Sequence, residues 1–153
     1  MEAIYRKCVA VLLKKSSLVF AGERIDTPGA WQIPQGGVEP GEEYFDAAVR
    51  ELYEEIGVRS VKLLAYSGEI YKYDFPEDIK ISMSKKCGTE YAGQGVKFFL
   101  MEFIGNDDEI NLQVSEPQEF SRWKWMPVAD LLESMVEFKK EAFTKAAMDV
   151  KVQ

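Results

Sequence analysis

Short apolar runs separated by polar turns predict a β-sheet in the first third of the chain. Residues 5–13 form an apolar stretch typical of a buried strand, and residues 18–21 form a second stretch of this kind. The polar residues 14–17 between them predict a hairpin turn. The next segment, residues 22–29, is polar and ends in Pro28 and Gly29, which predicts a loop.

The spacing of apolar residues then changes to that of a helix. Residues 30–37 predict the end of a strand and a turn, and residues 42–55 predict the helix. Its apolar residues recur at helical intervals and are expected to form the stripe that faces the core: Phe45, Val49, Leu52 and Ile56. Gly57 stands where a left-handed residue commonly ends a helix.

The rest of the chain predicts more strands and two further helices. Residues 61–75 predict one or two strands, residues 96–104 a central strand and residues 121–126 a short aromatic strand. Helices are expected over residues 127–132 and 141–148, and a long polar loop over residues 74–93. Strands mixed with helices predict an α/β sandwich, and the 153 residues predict a single domain, residues 1–153.

Composition narrows the possible functions. Apolar residues make up 46% of the chain, and no apolar run approaches the ~20 residues of a membrane span. The absence of histidine excludes a Ser-His-Asp triad, a histidine nucleophile and a histidine-rich zinc site. The net charge of −7 argues against broad binding to a nucleic-acid backbone. A cytoplasmic location fits the two widely spaced cysteines.

Three glutamates stand close together at the end of the predicted helix. Side chains three and four residues apart share a helix face, so Glu51, Glu54 and Glu55 are expected to point the same way. Like charges at this spacing repel each other by roughly 0.2–0.5 kcal/mol per pair. A solvated acidic face is one interpretation of this cluster. The other is a site for a hard divalent cation, for which carboxylate oxygens are the preferred ligands.

The spacing around these glutamates matches a known motif. Gly36 and Glu42 precede the helix, and the sequence RELYEEIGV runs from Arg50 to Val58. This segment resembles the Nudix box, G-x5-E-x7-R-E-U-x-E-E-x-G-U with U aliphatic, at every specified position. Glycine at position 36 allows the backbone to come close to a ligand, and Arg50 is expected to pair with Glu42.

The resemblance extends over about residues 5–148. AWQIPQGG before the box, YDFP at residues 73–76 and GQ shortly before Lys97 resemble one branch of the Nudix family. EIN, EFSRWKW and VEFKK in the second half resemble the same branch. That branch contains asymmetric dinucleoside polyphosphate hydrolases and bacterial RNA 5′-pyrophosphohydrolases. It implies an α/β/α sandwich with a mixed sheet and cleavage of phosphoanhydrides with Mg²⁺ or Mn²⁺.

The resemblance also implies roles for individual residues. Metal ligands are expected at Glu51, Glu54, Glu55 and Glu119, with a backbone carbonyl of Gln35 or Gly36 facing the ion. Catalytic roles are expected for Glu51, Glu54 and Glu119, with Glu54 favoured as the general base. Substrate contacts are implied for Arg24, Gln35, Tyr73, Gln94, Lys97, Phe138 and Lys139. Ordinary structural roles remain open for several of these, including a solvated loop charge for Arg24. Structural roles in the motif are expected for Gly36, Glu42, Arg50 and Gly57.

Two related activities therefore stand first. The preferred hypothesis is asymmetric cleavage of dinucleoside polyphosphates, which converts diadenosine tetraphosphate to ATP and AMP. The alternative is removal of pyrophosphate from triphosphorylated mRNA 5′ ends, and the acidic chain slightly favours the small substrate. A more remote alternative is a catalytically silent nucleotide-binding module. Neither enzymatic hypothesis involves a membrane, and the protein is expected to be a monomer or a weak homodimer.

Overall fold

The computed structural model describes residues 3–152 and is built on one mixed sheet. Its strands are β1 (Tyr5–Lys15), β2 (Leu18–Arg24), β3 (Trp31–Gln32), β4 (Gln35–Gly37), β5 (Val61–Tyr66), β6 (Tyr71–Asp74), β7 (Gly93–Phe103) and β8 (Phe120–Met126). The main path of the sheet is β3-β2-β1-β7-β5, with β4 beside β1, β6 beside β7 and β8 beside β2. The long central strands β1 and β7 run parallel, whereas the other pairs are antiparallel.

Among the described residues there are four α-helices, three of which pack against the faces of the sheet. They are α1 (Tyr44–Ile56), α2 (Glu77–Cys87), α3 (Val128–Ser134) and α4 (Glu137–Asp149). Short 3₁₀ turns lie at Asp107–Glu109 and Leu112–Val114. One buried cluster joins the sheet to α3 and α4, and the other joins its opposite face to α1. The predicted α/β sandwich with a mixed sheet is confirmed.

The central strands explain why both clusters exist. Alternate residues of a strand point to opposite faces. Accordingly, Cys8 and Ala10 of β1 enter the cluster with α3 and α4, while Val9 and Val11 enter the cluster with α1. A strand buried on both faces is apolar throughout, which is why residues 5–13 carry so clear a signal in the sequence.

Helix α1 differs from its prediction in the face that it buries. It begins two residues later than predicted, because Glu42 lies in a turn and accepts a hydrogen bond from the backbone N–H of Glu39. Gly57 ends the helix in the left-handed conformation, as predicted. The predicted stripe is wrong at Phe45 and Val49, which are 43% and 37% exposed.

The small residues of α1 account for this rotation. Ala47 and Ala48 are fully buried together with Leu52 and Ile56. Two alanines let the helix lie close to β1 and β4, so the inward face is centred between them rather than on Phe45. This face also carries Glu51 and Glu55, both partly buried, beside Leu52 and Ile56.

The second correction concerns the polar segment after β6. Residues 74–93 were expected to form a loop, but Glu77–Cys87 form α2, and Gly88 ends it in the left-handed conformation. Local signals explain the helix: Glu77 and Asp78 occupy its first turn, and Lys85 and Lys86 its last. These charges complement the helix dipole. Apolar periodicity is absent from this segment because all eleven residues of α2 remain at least partly accessible.

The other elements lie near their predicted positions. Strand β2 extends to Arg24, three residues into the expected loop, and α4 begins at Glu137, four residues early. Residues 61–75 form the two strands β5 and β6. No helix within residues 3–152 combines the length and the apolar character that crossing a membrane requires.

Candidate active site

A cavity of about 410 Å³ opens between the sheet and three helices. The sheet supplies Arg6 of β1, Gly36 of β4 and Gln94 of β7, and the helices α1, α2 and α4 supply the remaining sides. The volume lies within the range of small-molecule sites, roughly 300–1,000 Å³. It is large enough for a nucleotide-sized ligand.

Most of the residues predicted from the sequence meet in this cavity. Ten of them line it: Arg24, Gln35, Gly36, Glu51, Glu55, Tyr73, Gln94, Glu119, Phe138 and Lys139. Two more, Glu54 and Lys97, belong to the described part of the chain but lie outside the cavity. The tertiary structure thus gathers residues that are more than 100 positions apart in sequence.

Helix α1 and the loop before β8 form an acidic side of the cavity. Burial raises the pKa of the Glu55 carboxyl well above its usual value, and the negative charges of Glu51 and Glu119 raise it further. Burial likewise raises the pKa of Glu51. The backbone N–H of Gln35 donates to Glu55 Oε2 at 3.2 Å, which holds α1 against β4.

Gly36 is required by the close approach of Glu51. A β-carbon on Gly36 would overlap the carboxyl group of Glu51. Glycine at this position therefore lets the β4 backbone lie directly against an acidic side chain. This explains in steric terms why the box begins with glycine.

Arg50 ties the helix to the loop before it. Its Nε donates to Glu42 Oε2 at 2.9 Å and its Nη2 to Glu42 Oε1 at 3.0 Å, which confirms the predicted pair. Nη2 also donates to the Gly37 carbonyl at 2.8 Å. Hydrogen bonding to Arg50 lowers the pKa of Glu42 to about 2. The guanidinium thus connects β4, the loop and α1.

The same guanidinium holds two of the three glutamates. Arg50 Nη1 donates to Glu51 Oε1 at 2.8 Å and to Glu54 Oε2 at 3.0 Å. Glu54 lies about 100° around the helix from Glu55, and its side chain is 55% exposed. The expectation that all three glutamates point the same way is therefore wrong. Among residues 3–152, no three acidic or cysteine side chains converge into a ready-made cation site.

The oxygen donors of the cavity nevertheless fit a hard divalent cation. Glu51, Glu55 and Glu119 line one cavity beside the backbone of Gly36, and carboxylate and carbonyl oxygens are what magnesium and manganese bind. Burial raises the pKa values of two of these carboxyls despite the hydrogen bonds that Glu51 and Glu55 accept, so their ionised forms need further compensation. A cation would supply that compensation.

Basic and aromatic residues line the same cavity. Lys139 is only 6% exposed; burial, and after it the charge of Arg24, lowers the pKa of its ammonium to about 7. Its Nζ lies 5.9 Å from the ring centre of Tyr73 and 5.8 Å from that of Phe138. These two rings are 5.7 Å apart, and the Tyr73 hydroxyl donates to Gln94 Oε1.

Arg24 lies at the end of β2 and is already paired. Its Nε donates to Asp26 Oδ1 at 2.9 Å and its Nη2 to Asp26 Oδ2 at 2.7 Å. The expectation of a free loop charge is therefore replaced by a fork-shaped ion pair at the cavity wall. Its side chain is 25% exposed, so the pair remains accessible to an anion in the cavity.

Lys97 is separated from Gln94 by the alternation of β7. Residues an odd number apart on a strand point to opposite faces, so Gln94 faces the cavity while Lys97 faces the α1 side. There the Lys97 ammonium lies 5.6 Å from the ring centre of Tyr44 and 5.0 Å from that of Tyr66. The structure does not bring Lys97 to the cavity.

Sequence reasoning did not assign several other residues that line the cavity, among them Arg6, Ile79, Met83 and Lys86. Alternation along β1 could have placed Arg6 on the same face as Cys8. The other three recur at positions i, i+4 and i+7 of α2, which would have been visible if the segment had been recognised as a helix. The signals for that helix were the charges in its end turns and Gly88.

Comparison with known proteins shows the family to which the chain belongs. A model of the NUDIX domain matches residues 4–146. The chain is 41% identical over 145 residues to the RNA pyrophosphohydrolase of Wolbachia pipientis subsp. Culex pipiens, covering 94% of this chain and 88% of that protein. It is 42% identical over 142 residues to Nudix hydrolase 26, chloroplastic, of Arabidopsis thaliana, covering 91% of this chain. The chain spans 66% of the Arabidopsis protein, just under two thirds.

Solved structures share the fold at lower identity. The dihydroneopterin triphosphate pyrophosphohydrolase of E. coli has a TM-score of 0.73 at 16% identity, covering 95% of this chain and 98% of that one. An Ap4A hydrolase binary complex from C. elegans has a TM-score of 0.64 at 19% identity, covering 96% and 93%. These similarities extend over nearly the whole chain.

Proposed function

The chain belongs to the Nudix hydrolase family, and within that family we propose that it removes pyrophosphate from triphosphorylated RNA 5′ ends. The site supports hydrolysis of a phosphoanhydride because acidic and basic side chains line the same cavity. The observation that favours RNA is the 41% identity to a relative named RNA pyrophosphohydrolase. This reverses the order in which the sequence analysis placed its two hypotheses.

Glu51, Glu55 and Glu119 are the residues that would hold magnesium or manganese. Nudix hydrolases generally use divalent metal ions, and such an ion when bound acidifies water and neutralises phosphate charge. Glu54 would join these ligands, or act as the general base, only after its carboxylate leaves Arg50 Nη1 and turns toward the cavity. The hydrogen bond to Arg50 is 3.0 Å long and lies at a side chain that is 55% exposed, so solvent can replace it.

The chain's own residues divide the rest of the reaction between them. Water must attack phosphorus, lose a proton to a carboxylate and displace a phosphate chain. Lys139 and Arg24 lie where they would bind the anionic oxygens and neutralise the charge that the leaving group gains. Tyr73 and Phe138 would hold the adjoining nucleoside. Positioning and electrostatics suffice, because phosphoryl transfer needs little covalent chemistry from the protein.

A second candidate function is asymmetric cleavage of dinucleoside polyphosphates. It is favoured by the buried Lys139, which lies beside two aromatic rings that line the cavity. The net charge of −7 also suits a small substrate better than extended RNA. Both activities would use the same carboxylates.

Side-by-side rates on two substrates test the proposal. With magnesium, we expect a higher kcat/KM on a triphosphorylated RNA oligonucleotide than on diadenosine tetraphosphate. Glu54→Gln should abolish turnover on both while RNA binding persists, and Glu43→Gln, an exposed control just before α1, should not. Faster cleavage of diadenosine tetraphosphate would favour the second function. Cleavage of a nucleotide sugar alone would contradict both.

A further inference from the structure

Helix α2 is stabilised mainly by hydrogen bonds within its own segment and little by packing. Within Glu77–Cys87 no residue is buried, and the helix packs extensively against no other helix or strand of the described residues. Its order comes from local bonds: the Ser84 hydroxyl donates to the Lys80 carbonyl at 2.9 Å, and the N–H of Gly88 donates to the Ser84 carbonyl at 2.9 Å. Nothing in the core requires a helix here.

One side of α2 nevertheless faces away from solvent. Ile79, Met83 and Lys86 line the cavity, and Ile79 and Met83 are half-buried. By contrast Ile81, on the opposite side of the same helix, is 51% exposed. Apolar side chains one turn apart on a helix normally pack against protein. Here Ile79 and Met83 face the space of the active-site cavity instead.

The groups around this space define the ligand that would fill it. Tyr73 and Phe138 line the same cavity from β6 and α4, and the cations Lys139 and Lys86 line it as well. Aromatic and aliphatic side chains favour a flat ring, and the cations favour an attached anion. Methionine sulfur also makes favourable contacts with aromatic rings. A nucleobase with its phosphate has both features.

We propose that α2 is the nucleobase-binding wall of the active site, with Ile79 and Met83 contacting the base and Lys86 a phosphate of the same nucleotide. This inference deepens the proposed function and rests on it. It assigns substrate discrimination to a helix outside the Nudix box. Since the core does not depend on α2, its cavity-facing side chains affect substrate binding without affecting stability.

The chain provides matched controls on the same helix. We expect Ile79→Ala and Met83→Ala each to raise KM on triphosphorylated RNA about tenfold, the size usual for lost apolar contact in a pocket, with kcat changed less than twofold. Ile81→Ala should leave KM unchanged. Lys86→Ala should raise KM, whereas Lys85→Ala, at the exposed neighbour outside the cavity, should not. Thermal unfolding should give the same Tm for all five variants and the wild type.

Product inhibition separates contact with the base from contact with phosphate. Met83→Ala should weaken inhibition by AMP about tenfold and leave inhibition by inorganic pyrophosphate unchanged. Equal effects of Ile79→Ala and Ile81→Ala, or equal weakening of both inhibitors by Met83→Ala, would overturn the inference. If the wild type cleaves neither substrate, the proposed function fails. Calorimetric binding of AMP to wild type, Met83→Ala and Ile81→Ala would then still test the wall.

Discussion

Helices α1 and α2 line the same cavity but are held there in opposite ways. Helix α1 buries Ala47, Ala48, Leu52 and Ile56 and is tied to β4 through Arg50, whereas α2 buries none of its residues. Carboxylates that act together must keep their positions within a fraction of an ångström, which a packed helix ensures. A surface that only contacts substrate can be anchored more loosely.

The two helices should therefore respond differently to amino-acid substitution. Substitutions on the inward face of α1 alter packing and chemistry together, because Glu51 and Glu55 alternate with Leu52 and Ile56. Substitutions on α2 alter the cavity without altering the core. Specificity is therefore free to vary on α2 while the reaction stays fixed on α1.

The largest contrast is expected between Leu52→Ala and Met83→Ala. Leu52 is fully buried, so its truncation should lower the free energy of unfolding by about 2–5 kcal/mol. Met83 faces the cavity, and its truncation should change stability by less than about 0.5 kcal/mol. Urea denaturation followed by circular dichroism measures both. Similar losses for the two variants would show that α2 belongs to the core.

The second-largest effect is expected from replacing Arg50, which connects α1 to β4. Arg50→Ala leaves Glu42, Glu51 and Glu54 without their shared donor, and we expect a loss of about 1–3 kcal/mol in stability. Activity should fall as well, because α1 is no longer fixed to β4. Arg50→Lys keeps the charge but not the fork-shaped geometry and should recover only part of both losses. Full recovery with lysine would mean that charge alone is required.

The buried carboxyl of Glu55 on α1 predicts that the stability of the protein depends on pH. Burial raises the pKa of the Glu55 carboxyl well above its usual value. Its contribution to stability is therefore fully present below the unfolded-state pKa and is lost as the pH rises through the folded-state pKa.

Glu55→Gln removes this loss. We therefore expect the metal-free variant to have a higher Tm than the wild type at pH 7, and this difference to disappear below the unfolded-state pKa of the carboxyl. Glu54→Gln, at a side chain that is 55% exposed, should give no such gain. Magnesium should raise the Tm of the wild type more than that of Glu55→Gln. A lower Tm for Glu55→Gln would contradict this assignment.

The smallest contrast lies between the two glycines that end these helices. Gly57 and Gly88 have φ values of 75° and 74°, so alanine is strained by about 1 kcal/mol at either position. Gly57→Ala should lower the free energy of global unfolding by this amount, because α1 is part of the core. Gly88→Ala should instead increase hydrogen exchange at the amides of α2 and leave the Tm unchanged. An equal fall in Tm would indicate that α2 unfolds together with the rest.

The spacing of residues along the sequence determined a large part of this structure. The Nudix box placed Glu51, Glu55 and Gly36 at one site, and Gly57 at the end of α1, because fixed offsets on a helix and a turn leave little freedom. The Arg50–Glu42 pair followed for the same reason. The strands β1 and β7 were visible because they are buried on both faces and therefore almost entirely apolar.

Tertiary structure alone decided which of the chemical groups meet. It turned Ala47 and Ala48 rather than Phe45 to the core, directed Glu54 to Arg50 and solvent, and set Lys97 on the face opposite Gln94. It also buried Lys139 against the cavity and set α2 over it. Hydrophobic periodicity reports contact with other parts of the protein. Helix α2 carries no such apolar pattern, and the folded chain was needed to show that Ile79, Met83 and Lys86 line the cavity.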